Sequence, residues 1–150
     1  MLENRVSVVD DNEGILALVK KAFNLYMPEI SVKTYFNVDN FIEEYKNTKD
    51  DIVILDFDLG SNVNTRDFAY QIEKINPNVT IFILSGHIEE EGEFCLPKPF
   101  DLDRLPKKVI EKTKEYQKER MKRFFMLDTI LAFMEEYVGG RKNKKCQTAI

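Results

Sequence analysis

Short apolar, β-prone segments recur along the chain at Arg5–Val9, Ile30–Tyr35, Ile52–Leu55, Val79–Leu84 and, more weakly, Phe94–Leu96. The stretches between them carry helical spacing instead. Ile15, Leu18, Val19, Ala22 and Phe23 form one apolar stripe, with Asn12 available as its cap. Phe41, Ile42 and Tyr45 predict a second helix after the cap candidate Asp39. Phe68, Ala69, Ile72 and Ile75 predict a third, stopped at Asn76–Pro77 because proline cannot continue a helix. Strand alternating with helix calls for right-handed βαβ crossovers, so the expected class is α/β, a doubly wound five-stranded parallel sheet with helices on both faces.

Two regions depart from that rhythm. Between Ser85 and Phe94 the chain reads Gly-His-Ile-Glu-Glu-Glu-Gly-Glu, too short and polar for a packed helix with two loops. The fourth crossover is therefore expected to be abbreviated, with Glu89, Glu90, Glu91 and Glu93 in a solvated loop. After Asp101 or Asp103 as cap, a long helical pattern begins, with Pro106 in its first turn, where a missing N–H costs little. Leu105, Val109, Lys112 and Tyr116 trace its first stripe. From Phe124 the apolar face broadens through Phe125, Met126, Leu127, Ile130, Leu131, Phe133, Met134, Tyr137 and Val138, and Gly139–Gly140 is expected to end it. The expected organisation is a domain at 1–117, a helical extension at 118–138 and a disordered basic tail at 139–150.

Charge supports that division. Residues 1–117 hold 14 Lys+Arg against 22 Asp+Glu, whereas residues 118–150 hold 8 against 4. An acidic body thus carries a basic extension. The 150 residues suit one domain with a real core. No apolar run reaches the roughly 20 residues that span a bilayer, and the N-terminus lacks the pattern of a signal peptide. A cytoplasmic location is expected. Cys95 and Cys146 have neither disulfide-framework nor metal-site spacing.

The chemistry lies just beyond the strands. Asp10 and Asp11 follow the first, Asp56 the third, Ser85 the fourth and Lys98 the fifth. In a parallel sheet all of them reach the carboxyl edge, where open α/β sheets bind ligands. Three clustered carboxylates repel one another unless a cation sits among them, and Mg²⁺ prefers such hard oxygens. A carboxylate beside a bound metal can attack a phosphoryl group and become an acyl phosphate. Ser85 and Lys98 can then donate to phosphoryl oxygens.

These elements, across roughly residues 4–117, resemble the receiver domain of two-component response regulators. The resemblance implies a flavodoxin-like strand order 2-1-3-4-5 and a phosphoacceptor role for Asp56, fed by a sensor histidine kinase, a phosphotransfer protein or a small phosphodonor. It further implies Mg²⁺ held by Asp10, Asp11, Asp56 and the backbone carbonyl of Asp58, with Ser85 and Lys98 sensing the phosphoryl group. Asp58 stands where a residue sets the lifetime of that group; His87, two residues after Ser85, could also bias hydrolysis or bind metal, the plainer reading being an exposed loop histidine. The protein is then a single-domain response regulator and not an enzyme.

Four positions differ from the family pattern. Lys98 follows Ser85 by only 13 residues, so most of the fourth helix is missing. Cys95 stands where an aromatic residue is common, with Phe94 on the opposite face. Gly60 replaces a frequent proline, and Asp58 adds a carboxylate near the acceptor. The acceptor chemistry stays whole while the usual output surface is altered. Two other readings compete. Ile-Leu-Asp56-Phe-Asp58 also resembles the first motif of haloacid dehalogenase-type phosphatases, but a βαβα unit precedes it and no late acidic motif follows. A receiver-like scaffold that is never phosphorylated is the second. The extension at 118–138 calls for a partner: a homodimer first, with docking on a downstream protein target or folding back as alternatives. A membrane surface is not expected, because tryptophan is absent and Glu135–Glu136 interrupt the polar side. No DNA-binding module is expected after the domain.

Overall fold

The computed structural model describes residues 5–86 and 94–146. Five strands, β1 (Arg5–Val9), β2 (Ser31–Tyr35), β3 (Ile52–Asp56), β4 (Thr80–Ser85) and β5 (Cys95–Pro97), form one parallel sheet in the order β2-β1-β3-β4-β5. Helices α1 (Glu13–Tyr26), α2 (Val38–Thr48) and α3 (Thr65–Ile75) are the first three crossovers, and α4 runs from Arg104 to Cys146. The expected class and strand order therefore hold.

The period-2 alternation of the strands divides the core into two layers. On one face Val6, Val8, Ile52, Ile54, Phe82, Leu84 and Leu96 pack with Leu16, Val19 and Phe23 of α1 and with Leu105, Val109 and Ile110 of α4. On the other, Val9, Val53 and Leu55 pack with Phe41 and Tyr45 of α2 and Phe68 and Ile72 of α3. β3 is buried at every position, as a central parallel strand covered on both faces must be.

Each of the first three helices starts on an asparagine. The side-chain oxygens of Asn12, Asn37 and Asn64 accept from two backbone N–H groups of the first turn, satisfying donors that have no partner within the helix. For α2 this corrects the expectation that Asp39 is the cap. Asn37 holds the extended backbone a cap requires, and Asp39 donates its own N–H to Asn37 Oδ1 at 2.8 Å. One step into the helix, the Asp39 carboxylate instead favours the positive end of the helix dipole.

Only residues 86–94 connect β4 to β5, fewer than a parallel crossover with a packed helix uses. The loop expected there, with His87, Glu89, Glu90, Glu91 and Glu93, lies outside the described residues. Its consequence for the sheet is visible. Ile81, Ile83 and Cys95 point to the α2–α3 side yet are only half-buried, whereas Phe82, Leu84 and Leu96 on the opposite side are fully covered. Phe94 lies on that covered side, its ring 5.6 Å from Phe82. It cannot supply the missing aromatic at Cys95.

The chain divides into two compact units, Met1–Thr113 and Lys114–Ile150. α4 does not stop at Gly139–Gly140 as expected but continues to Cys146. A helical glycine costs about 1 kcal/mol relative to alanine, a penalty without the steric block of proline. Within the described part of the second unit, the side chains from Met121 to Val138 are exposed. Among the described residues no helix is long and apolar enough to cross a membrane.

Candidate functional site

The carboxyl edge is built from strand ends. Asp10 leaves β1 with its backbone N–H bonded to the Tyr35 carbonyl at 3.1 Å, and its carboxylate is 1% exposed. Its Oδ1 accepts the N–H of Asn12 at 2.8 Å, so the residue that caps α1 also orients the acid. Asp56 closes β3 and is likewise buried. Asp11 stands beside them in solvent.

Lys98 ties the two buried acids together. Its Nζ lies 2.7 Å from Asp56 Oδ1 and 3.0 Å from Asp10 Oδ2. The Lys98 N–H donates to the Ser85 carbonyl at 2.7 Å, anchoring the β5 end to β4, and the Lys98–Pro99 peptide is cis. Burial raises the Asp56 carboxyl above its ordinary range; Lys98 opposes this, and the Asp10 charge adds to it. Burial pulls the Lys98 ammonium down, but its bonds to Asp56 and Asp10 outweigh that and hold it above its usual value. The ammonium stays charged and is shared between two acids.

One carboxylate oxygen from each of Asp10, Asp11 and Asp56 falls within 4.8 Å of the others. Hard oxygens this close, two buried and one in solvent, fit Mg²⁺, which takes a few carboxylates and keeps several waters. A cleft of about 270 Å³ opens over them, walled by Asn12, Phe57, Asp58, Gly86 and Lys98. A larger open groove of about 620 Å³ lies against β2 and α2, away from this cluster. Within it Glu44 accepts from both Lys33 and Tyr35 at 2.8 Å.

Asp10, Asp11, Asp56, Asp58 and Lys98 thus line one cleft, as the sequence predicts. Ser85 is buried at the end of β4, and the cleft wall there is its neighbour Gly86. Asp58 faces solvent and accepts the Gly60 N–H at 3.2 Å. Gly60 has φ +97, so the proline frequent at this position in the family could neither adopt this backbone nor keep that N–H. Sequence reasoning missed Thr65. Its hydroxyl donates to the Phe57 carbonyl at 2.6 Å and pins the loop after β3 to the start of α3. A threonine following the cap Asn64 was the available signal.

A doubly wound parallel sheet with a lysine-bridged pair of acids at its carboxyl edge defines a narrow class of α/β protein. The response regulator receiver domain family matches residues 6–110, and the chain belongs to that family. No curated protein sequence matches it. Solved structures share the fold at low identity. A response regulator from Thermotoga maritima is 21% identical with a TM-score of 0.64, covering 73% of this chain and 97% of its own. The BeF3-activated DrrB receiver domain is 20% identical, with a TM-score of 0.62 and the same coverages of 73% and 97%. The beryllofluoride-activated NtrC4 receiver domain dimer is 20% identical, with a TM-score of 0.64 and coverages of 75% and 98%.

Proposed function

We propose that this receiver accepts a phosphoryl group on Asp56 from a histidine kinase, a phosphotransfer protein or a small acyl phosphate, in a Mg²⁺-dependent step. The observation that carries the reading is the Lys98 ammonium bridging Asp56 and Asp10 at the floor of an open cleft. A buried carboxylate needs a charge partner to remain an anionic nucleophile, and Lys98 provides it.

In the reaction an Asp56 oxygen forms a bond to phosphorus as the bond from phosphorus to the donor nitrogen or oxygen breaks. The leaving group takes up a proton from solvent or the donor's own site. Asp10, Asp11, Asp56 and the Asp58 carbonyl would hold Mg²⁺, which when bound would neutralise charge on the phosphoryl oxygens. Lys98 turns from the carboxylates toward the new phosphoryl oxygens, and Ser85 donates a second hydrogen bond. Asp58, two residues after the acceptor, is the proposed modulator of its rate of hydrolysis, with His87 as a further candidate from the sequence. Two structural neighbours are described as beryllofluoride-activated receiver domains, which supports reading this chain as one that responds to a phosphoryl group.

In this reading the protein is a cytoplasmic response regulator that turns over no phosphate ester, and its output goes to a protein partner rather than to DNA. Intact-mass measurement after acetyl phosphate and Mg²⁺ tests the acceptor role. The wild type should gain one phosphoryl group and Asp56→Asn none. An unchanged wild-type mass with Mg²⁺ demonstrably bound would instead support a scaffold that is never phosphorylated.

A further inference from the structure

The second compact unit has no core of its own among its described residues. Phe124, Leu127, Leu131, Met134 and Val138 of α4 are each between 51% and 59% exposed, although all are large apolar side chains. A contiguous apolar surface of this kind marks an interaction site. These five residues follow one another at intervals of three, four, three and four. That is the seven-residue repeat of a coiled-coil seam, with Phe124, Leu131 and Val138 at one set of core positions and Leu127 and Met134 at the other. A helix that merely lies on a globular surface needs only a 3.6-residue period. The strict alternation of three and four suits a second helix with the same repeat, and another copy of this chain carries one.

The flanking charges select the direction. Beside the seam, Arg123 and Ile130 lie along one edge, Asp128 and Glu135 along the other. In a parallel pair each residue on the first edge meets the partner's residue five positions further on, along the second edge. Arg123 then meets Asp128 of the second copy, twice by symmetry. In an antiparallel pair like edges meet, so Asp128 faces Glu135 of the second copy and Arg123 faces no acid. Membrane adsorption is less well served, because Asp128, Glu135 and Glu136 place acids along this same stretch, where binding to anionic lipid calls for bases.

We propose that residues 124–138 of α4 form a parallel two-stranded coiled coil with a second copy of the chain, closed by reciprocal Arg123–Asp128 pairs. Phe125, Met126 and Phe133 fall outside the seam and stay on the outer surface of the pair. The seam is short, about two heptads, so dissociation on the order of micromolar is the expected range. Pairing through α4 goes beyond the acceptor reading and does not depend on it, so Asp56→Asn should dimerise like the wild type.

Sedimentation equilibrium of the full chain over a concentration series gives the test. The wild type should approach twice the monomer mass. Leu131→Glu should raise the dissociation constant by at least about a hundredfold, since it buries a charge in the seam. Arg123→Asp should raise it by about tenfold, and adding Asp128→Arg should restore it to within about threefold. Both edge positions are exposed, so these variants leave the receiver fold alone, and far-ultraviolet circular dichroism checks this. For direction, Leu127→Cys with Cys95→Ser and Cys146→Ser should form a disulfide between two copies. A monomer at all concentrations, no response to Leu131→Glu, or no rescue by the charge exchange would overturn the proposal. So would cross-linking of Phe124→Cys to Val138→Cys chains in place of the Leu127→Cys homodimer. A monomeric wild type that pelleted with anionic vesicles would assign the surface to membrane instead.

Discussion

α4 puts nearly the same side chains into two opposite situations. In its first turns Leu105, Val109 and Ile110 are 3%, 0% and 7% exposed, packed against β1, β3 and β4 residues. Further along, Leu127, Ile130 and Leu131 are 57%, 48% and 55% exposed. The side chains compared are aliphatic in both stretches. What differs is a facing surface, supplied in the first case by the sheet. An apolar stripe therefore records a demand for a partner, and only the fold says whether the chain meets that demand itself.

The largest expected effect sets these two stretches against each other. Val109→Asp places an unpaired carboxylate in the core and should cost about 4 kcal/mol or more, enough to unfold the receiver unit in urea titrations. Phe133→Asp, on the exposed stretch and off the seam, should change the same unfolding free energy by less than about 0.5 kcal/mol. Comparable losses from the two substitutions would erase the contrast.

The next effect belongs to the acidic edge. Mg²⁺ that binds only the folded protein stabilises it by about 1.4 kcal/mol for every tenfold excess over its dissociation constant. A thermal melt with millimolar Mg²⁺ should rise for the wild type, and Asp10→Asn should remove most of the rise. Smaller again is the loop after β3. Gly60→Ala should cost about 1 kcal/mol, because its positive φ suits glycine even though open space surrounds the position.

The smallest effect has the opposite sign. Asp56→Asn removes a charge that burial and the neighbouring Asp10 disfavour, and should slightly stabilise the metal-free protein at pH 7. Because burial raises the Asp56 carboxyl, the stability linked to its proton is present below the ordinary value of 3.8 and lost as pH rises through the folded value. The advantage of Asp56→Asn should therefore fade as the solution is acidified toward pH 3.8. Melts at paired pH values check this, and an advantage that grew with acid would contradict it.

Most of the sheet was legible because most of its strands are β-branched runs bounded by polar residues, and four of the five lead to a candidate site residue. Asp10, Asp56 and Lys98 could be placed on one edge from that pattern alone. Their mutual contact could not, since it depends on how far a flexible lysine reaches. The cap of α2 was misplaced because Asn37 and Asp39 are equally good caps in isolation, and the backbone entering from β2 decides between them. The end of α4 was set too early because a glycine pair is only a statistical stop. The half-covered Ile81, Ile83 and Cys95 follow from a crossover too short for a packed helix, a shortage that was readable as a spacing.

Asp56 is the proposed receiving group. Treatment with acetyl phosphate and Mg²⁺, followed by borohydride reduction and peptide mass mapping, tests it most directly, because reduction of an acyl phosphate marks the residue that carried it. A single reduced aspartate is expected, at position 56, and it should disappear when Mg²⁺ is chelated. A mark at Asp10, Asp11 or Asp58 instead, or none in a protein that binds Mg²⁺, would contradict it.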